Sequence, residues 1–414
     1  MDHVPEIQIL DKERYFTQHI VSVPDSLPYP ALTPGYIRLR TKVLGLSASN
    51  LNVAKVAFLF NWWQAYPLPD SLPEPFSDPK TYGRTATWGY AEVLDSTVSF
   101  VSKGSYLYGY VPIGTLAFDL RVRQGEISNH AIVTSDNRQH MPFYNRYIAY
   151  PASLKRDIDA QSESVAYDVL IRIMFETAHL LGHFVFAQIP ENTLAPGLDP
   201  LQWSAKKANL DGAVVIHLAA GSKVALSSAH ILHGKTPGGK PKSIIGASSE
   251  FSKQFVLSTG LYDRVVSTDD DVLEVVSHSD GVHEKIVLID FGGRDGIAHK
   301  WAAELEPICR NLVLLSVGGE ISQVQSSAVL ASVQDTPKDY HVRASLSHMR
   351  DRAVAMIGEE KYFTDLETKW KAFRETGIHG LSINWGTGMT DVKDKWKRLA
   401  SGQVKPSEGL VVSL

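Results

Sequence analysis

Cysteine is nearly missing from this chain: Cys309 is the only one among 414 residues. A lone thiol excludes an internal disulfide and a structural zinc site built from several thiolates. Long apolar runs are missing as well, and no stretch approaches the roughly 20 residues that a membrane-spanning helix requires. Neither sign of charge dominates, with 41 Lys and Arg against 45 Asp and Glu and a formal net charge of -4. That balance gives no sign of a nucleic-acid or anionic-membrane partner. The opening residues, MDHVPEIQILDKERYF, lack an apolar signal core and a cleavage pattern, so a cytoplasmic location is expected.

What is present is ordinary globular composition, 44% hydrophobic and 21% charged, enough for two domains with a full core each. Between Ala213 and Glu320 the pattern is regular. AVVIHLAA (213–220), KSIIGAS (242–248), KIVLIDFGG (285–293) and NLVLLSVGG (311–319) are short apolar runs without alternation, as strands buried on both faces of a parallel sheet read. SKVALSSAHILH, SEFSKQFVLSTG and DGIAHKWAAELEPI lie between them with helical spacing. Such alternation predicts an α/β, doubly wound parallel sheet. The preceding part is β-rich, aromatic and broken by proline turns such as YPLPDSLPEPFSDP (66–79), which predicts a small barrel-like domain. The final run, GLVVSL, can return to that first domain and make the doubly wound unit an insertion.

A turn that holds a dinucleotide must let the backbone approach a pyrophosphate and present N–H groups at a helix start. LAAGSKVALSSAHILHG (218–234) sits at the right place but keeps a single early glycine, Gly221. Ser222 suits an N-cap, Lys223 offers a charge, and Ala220 and Val224 complete the turn. The competing reading is a plain strand–helix turn with a solvated lysine. After the second strand, Ser248, Ser249 and Lys253 stand where an acidic residue would favour NAD, and they suit an adenosine 2′-phosphate. Gly292 and Gly318 end later strands, where a nicotinamide would lie.

The order of these units resembles the medium-chain dehydrogenase/reductase superfamily along nearly the whole chain. VLGLSASNLNVAK (43–55) is similar to its early Asn-containing loop, and WGYAEVLDS with YLYGYVPIG is similar to the strand pair before its glycine turn. WGYAEV, YGYVP and HMPFYNRY resemble an uncharacterised branch of that superfamily, known only as a domain of unknown function. The resemblance implies a GroES-like β-rich domain over residues 1–165, a Rossmann domain over 166–340, and a C-terminal return over 341–414. It also implies NADP(H) as cofactor, with Tyr262 flanking the 2′-phosphate.

Departures from the superfamily are informative. Trp88-Gly89-Tyr90-Ala91-Glu92 stands where zinc alcohol dehydrogenases have Gly-His-Glu, and the catalytic cysteine near the N-terminus is absent. His179 and His183 are spaced i,i+4, yet no third ligand is evident, so no metal is expected. Candidate catalytic groups are Asn50 and Lys55 in the early loop, Tyr108 and Tyr110 on the strand pair, and Tyr144 and Tyr147 in HMPFYNRY. Each tyrosine taken singly reads more readily as a core-edge residue with a satisfied hydroxyl. The related branch has Tyr where Val53 stands here. The expectation is a zinc-independent, NADPH-dependent oxidoreductase that reduces an activated C=C or a carbonyl of a small or medium hydrophobic substrate. The alternatives are a non-redox enzyme (lyase, hydrolase or isomerase) or a binding protein with a vestigial nucleotide site. A homodimer is expected through a sheet edge in the stretch after NLVLLSVGGE.

Overall fold

The computed structural model describes residues 4–236, 238–276, 284–319 and 338–414. The first unit is built on an aromatic sheet. Strands β1 (Glu6–Asp11), β2 (Gln18–Ser22) and β4 (Tyr82–Gly83) form a small three-stranded sheet. The larger sheet contains β3 (Tyr36–Leu46), β5 (Ala86–Ser96), β6 (Tyr106–Pro112), β7 (Phe118–Gln124), β8 (His130–Val133) and β9 (Arg146–Tyr150). Eleven residues make β3 long enough to serve two partners along one edge. Its first half pairs with β7 (Tyr36↔Arg121 to Leu39↔Phe118), which closes a barrel β3-β5-β6-β9-β8-β7. Closure removes free edges and leaves an interior filled by side chains. In β7 the alternation FDLRVRQ places Phe118, Leu120 and Val122 inside.

The second half of β3 pairs antiparallel with β17 (Glu408–Ser413), which lies parallel to β16 (Ser382–Thr387). The helix Gly388–Ala400 connects these last two strands. The C-terminal run therefore does return to the first unit, as GLVVSL suggested.

The inserted unit is a six-stranded parallel sheet in the order β12-β11-β10-β13-β14-β15. Four of its strands match the apolar runs: β10 (Val214–Leu218), β11 (Ser243–Ser248), β13 (Ile286–Asp290) and β14 (Leu312–Ser316). The others, β12 (Arg264–Ser267) and β15 (His341–Arg343), are four and three residues long. β15 carries the sheet just past the expected boundary at 340. Strand order reverses between β10 and β13, the switch point where such sheets bind ligands beyond their carboxyl ends. The expected dimer edge after NLVLLSVGGE falls on residues 320–337, outside the described residues.

Two buried carboxylates fasten the helices between the units. Asp168, on the helix Glu163–Leu170, accepts from the Tyr90 hydroxyl (2.6 Å), Trp370 Nε1 (2.8 Å) and the Arg374 guanidinium (3.1 Å). Glu176, on the helix Arg172–Leu180, takes both arms of Arg350 at 2.5 Å and the Tyr362 hydroxyl at 3.0 Å. Arg350 also donates to the Phe143 carbonyl (2.7 Å), so one ion pair ties the barrel to the C-terminal helices. A helix interior rarely buries a carboxylate without a full set of donors, and both sets are complete here.

Candidate active-site cleft

At the end of β10 the backbone turns through Ala219, whose φ of 55° lies in the left-handed region. The helix Lys223–His233 follows, with the Ser222 hydroxyl accepting from the Ala225 N–H at 3.3 Å. The expected N-cap is therefore formed, at the helix start that follows the carboxyl end of β10. Lys223 is a different matter. Its ammonium donates to the carbonyls of Pro406 (3.1 Å) and Glu408 (2.7 Å), and burial pushes its pKa down to about 8. A helical side chain leans toward the N-terminus of its helix, and here that direction leads to the loop before β17 rather than to a phosphate. The expectation of Lys223 as a phosphate contact is corrected accordingly. The same loop covers Gly221: a Cβ there would lie 3.0 Å from Pro406. Val224 packs against the main core, and Ala220 is buried, its carbonyl accepting the Tyr262 hydroxyl at 2.9 Å.

That last bond gives Tyr262 a structural post. Its ring crosses Gly246 on β11, where a Cβ would come within 2.9 Å of it. His217, fully buried in β10 and overlooked in the sequence, lies 3.4 Å from the same hydroxyl. Ser249 begins the helix Glu250–Ser258 and shares a hydrogen bond with the Ser252 hydroxyl (3.1 Å), while Ser248 is buried beside it. Lys253 is solvent-facing and pairs with Glu250 at 2.9 Å, the carboxylate that would compete with a phosphate. At the other end of the crevice Gly292 takes φ of 116°, and Gly318 sits against the Phe291 carbonyl with no room for a side chain.

Helix α1 (Ala48–Val56) closes the cleft from the barrel side. Asn52 donates to the Gly319 carbonyl at 2.8 Å, directly beyond β14. Asn50 is spent on the fold: its Oδ1 accepts from the Ser47 N–H (2.8 Å) in a capping box, and its amide reaches the Ala86 carbonyl (3.4 Å). Lys55 is half-buried on the last turn of α1.

The four candidate tyrosines separate by burial. Tyr147 is fully buried, and its hydroxyl donates to the Tyr110 carbonyl alongside the Tyr66 hydroxyl. Arg138 donates to both hydroxyls, at 2.9 and 3.2 Å. Tyr147 is thus a core residue, correcting its candidacy. Tyr108 is buried under the Arg172 guanidinium, with its ring stacked on Trp88 at 5.7 Å. Tyr110 is buried too, and Tyr144 lies 4.5 Å from it and 5.9 Å from Trp88. Only Tyr144 of the four keeps part of its surface exposed. Burial raises its pKa to about 12, so its hydroxyl stays protonated at neutral pH.

Among the described residues no three His, Cys, Asp or Glu side chains are grouped to hold a metal ion. The rings of His179 and His183 lie 4.7 Å apart, and burial pushes both pKa values down, His183 to about 4. No helix among the described residues is long and apolar enough to cross a membrane.

The family model described as "Protein of unknown function (DUF2855)" matches residues 44–405. The chain belongs to that family. No curated protein matches the sequence. Solved structures do match, among them several at 12–14% identity. The CurF ER cyclopropanase of the curacin A biosynthetic pathway superposes with TM-score 0.55 at 12% identity, covering 99% of both chains. A mutant enoyl thioester reductase from Candida tropicalis gives 0.53 at 13%, covering 99% of this chain and 100% of its own. CurA from Vibrio vulnificus in complex with NADPH gives 0.51 at 12%, covering 98% of each. The architecture is that of medium-chain enoyl reductases and quinone-oxidoreductase-like proteins, a barrel joined to a Rossmann sheet.

Proposed function

We propose that this DUF2855 chain is a zinc-independent reductase of the medium-chain type that uses NADPH on an activated C=C or carbonyl of a small or medium hydrophobic substrate. The supporting observation is α1 of the barrel unit, whose Asn52 donates to the Gly319 carbonyl just beyond β14, at the carboxyl ends of the strands where such sheets bind ligands. The cofactor would supply the hydride. First-turn N–H groups after Ser222 suit the pyrophosphate, Ser249 and Lys253 the 2′-phosphate, and Gly292 and Gly318 the close approach of the nicotinamide end. Tyr144, protonated and partly exposed, is the protic group this reading assigns to the substrate. Elemental analysis of the pure protein is expected to find no stoichiometric zinc, and one zinc per chain would overturn zinc independence.

A fluorescence titration tests the cofactor. NADPH is expected to bind the wild type, and Lys253→Ala to weaken it by about tenfold, the low end for a charge-assisted contact because Lys253 is exposed and must leave Glu250. NADH should bind Lys253→Ala and the wild type alike. Equal losses for both cofactors would remove Lys253 from the 2′-phosphate.

A second reading has its own support. Pro406 lies over Gly221 and Lys223 is fixed to the loop before β17, so the turn could keep its shape after losing its ligand. On that reading the chain is a non-redox enzyme or a binding protein, and neither cofactor binds the wild type. Self-association as a homodimer is also proposed, since among the described residues β15, which follows the stretch after NLVLLSVGGE, is an edge strand of the parallel sheet. Sedimentation at micromolar concentration decides it.

A further inference from the structure

The loop that covers Gly221 has a construction of its own. The helix Gly388–Ala400 ends, Gly402 takes φ of 70°, and the chain enters β17 through the turn 405–408, closed by the Glu408 N–H on the Lys405 carbonyl at 2.9 Å. The two ends of the loop are clasped together. The Arg398 guanidinium donates to both Glu408 carboxylate oxygens, at 2.9 and 2.8 Å, and Asn384 Nδ2 adds a bond at 2.8 Å. Between those ends Ser401, Gly402, Gln403 and Lys405 face solvent. The inner side carries Pro406, which stands against Gly221 and whose carbonyl accepts from Lys223.

Ala219-Ala220-Gly221-Ser222-Lys223-Val224 fills the positions of a dinucleotide turn, and Gly221 stands where a missing side chain lets a pyrophosphate approach the backbone. A Cβ added there would lie 3.0 Å from Cβ and 3.5 Å from Cγ of Pro406. The proline therefore occupies the space that the glycine opens. Lys223 is the other unusual member. A cation on the first residue of a helix opposes the helix dipole. Its ammonium meets only the carbonyls of Pro406 and Glu408 among the described residues, since the Glu408 carboxylate is committed to Arg398. What that lysine does in this position is hold the loop down.

We propose that the loop 401–407 is an autoinhibitory strap, latched by Lys223, that closes the pyrophosphate seat at Gly221 and swings away before a dinucleotide binds. The strap rests on the NADPH reading of the cleft. Opening breaks the Lys223 bond to the Pro406 carbonyl and the Ser382 N–H bond to the Ser407 carbonyl (2.8 Å), while the clasp between Arg398 and Glu408 keeps β17 in its sheet. With only a few hydrogen bonds to break, the strap is closed most of the time and the apparent cofactor affinity is lowered by its open fraction. The sign of the effect separates a latch from a phosphate contact. Removing a phosphate contact weakens cofactor binding, whereas removing a latch tightens it.

The test compares the full-length wild type, Lys223→Met and Pro406→Gly by NADPH fluorescence titration and by amide hydrogen exchange of residues 401–407 without cofactor. Both variants are expected to bind NADPH about tenfold more tightly, the gain if the wild-type strap is open about a tenth of the time, and to exchange faster in the loop. Equal affinity in all three proteins, or weaker binding by Lys223→Met, would overturn the strap and leave the cofactor reading standing. NADPH binding by the variants alone would support the strap and remove the vestigial-site reading. Binding by none of the three would overturn the cofactor reading and, with it, the strap's role. If Lys223→Met does not fold, Pro406→Gly, which alters no charge, decides by the same two measurements.

Discussion

Stability should fall steeply between pH 6.5 and pH 5, before most carboxylates begin to protonate. The cause is a set of histidines that the fold holds neutral. His217 lies fully buried in the central strand β10, between the rings of Tyr262 and Phe291, and burial pushes its pKa down to about 3. His130 is pushed to about 3 by burial and then by Arg146, whose guanidinium donates to its Nδ1 at 2.8 Å and leaves no place for a second proton. His183 drops to about 4 for the same first reason. The unfolded chain binds protons at these positions below about pH 6.5, and the native chain does not. Their contribution is therefore complete above pH 6.5 and is lost as pH falls toward 4. At pH 5 each costs roughly 2 kcal/mol, about 6 kcal/mol for the three, against a typical total of about 5–15 kcal/mol.

Urea unfolding at pH 7.5, 6 and 5 measures this directly. The midpoint should drop with pH, and His217→Leu should lose about 2 kcal/mol less than the wild type between pH 7.5 and 5. Asp11, Glu359 and Glu408 contribute at a different place, because hydrogen bonds and neighbouring arginines hold their pKa values below normal and their share is lost only below about pH 4.5. A flat profile from pH 7.5 to 5 would mean that these histidines become hydrated in the native state.

The parts of this fold that were readable in advance are those with local signatures. β10, β11, β13 and β14 are unbroken apolar runs, and buried parallel strands need that composition. β12 and β15 escaped because RVVS and HVR are too short for any periodicity to register. The Ser222 cap was legible for the same local reason. Lys223 was not, since its position after Gly-Ser reads as a phosphate contact until the carbonyls of Pro406 and Glu408, nearly two hundred residues away in sequence, accept from its ammonium. Pro406 illustrates the limit more sharply. One proline before a final strand has no pattern, and its significance lies in the glycine it covers, which only tertiary structure reveals. Glu176 and Asp168 did leave a trace: each is an acid inside an apolar helical run, MFETAHLL and VAYDVL, and a buried carboxylate implies a buried donor somewhere in the chain.

That donor sets the other large effect. Arg350 and Glu176 are both buried, meet through two 2.5 Å bonds, and hold the Phe143 carbonyl and Tyr362 hydroxyl in the same network. The Arg350 guanidinium also lies 3.5 Å from the Phe143 ring centroid, so its removal empties a contact on the barrel as well. Removing one partner strands a charge where water cannot reach it, and the expected loss is about 3–5 kcal/mol for Glu176→Gln or Arg350→Met alone. The double variant Glu176→Gln/Arg350→Met should lose less than the sum of the two, because it strands no charge. Chemical denaturation of the four proteins closes the cycle and gives the coupling. Additive losses would show that each side chain contributes through packing alone. Strong coupling would identify this pair as the fastening between the barrel's Phe143 segment and the helix Leu346–Ile357 that follows the Rossmann sheet. Glu176→Gln is then expected to loosen the segment carrying Tyr144, the neighbour of Phe143, and, on the proposed reductase reading, to weaken hydrophobic ligand binding without altering the helix start at Ser222.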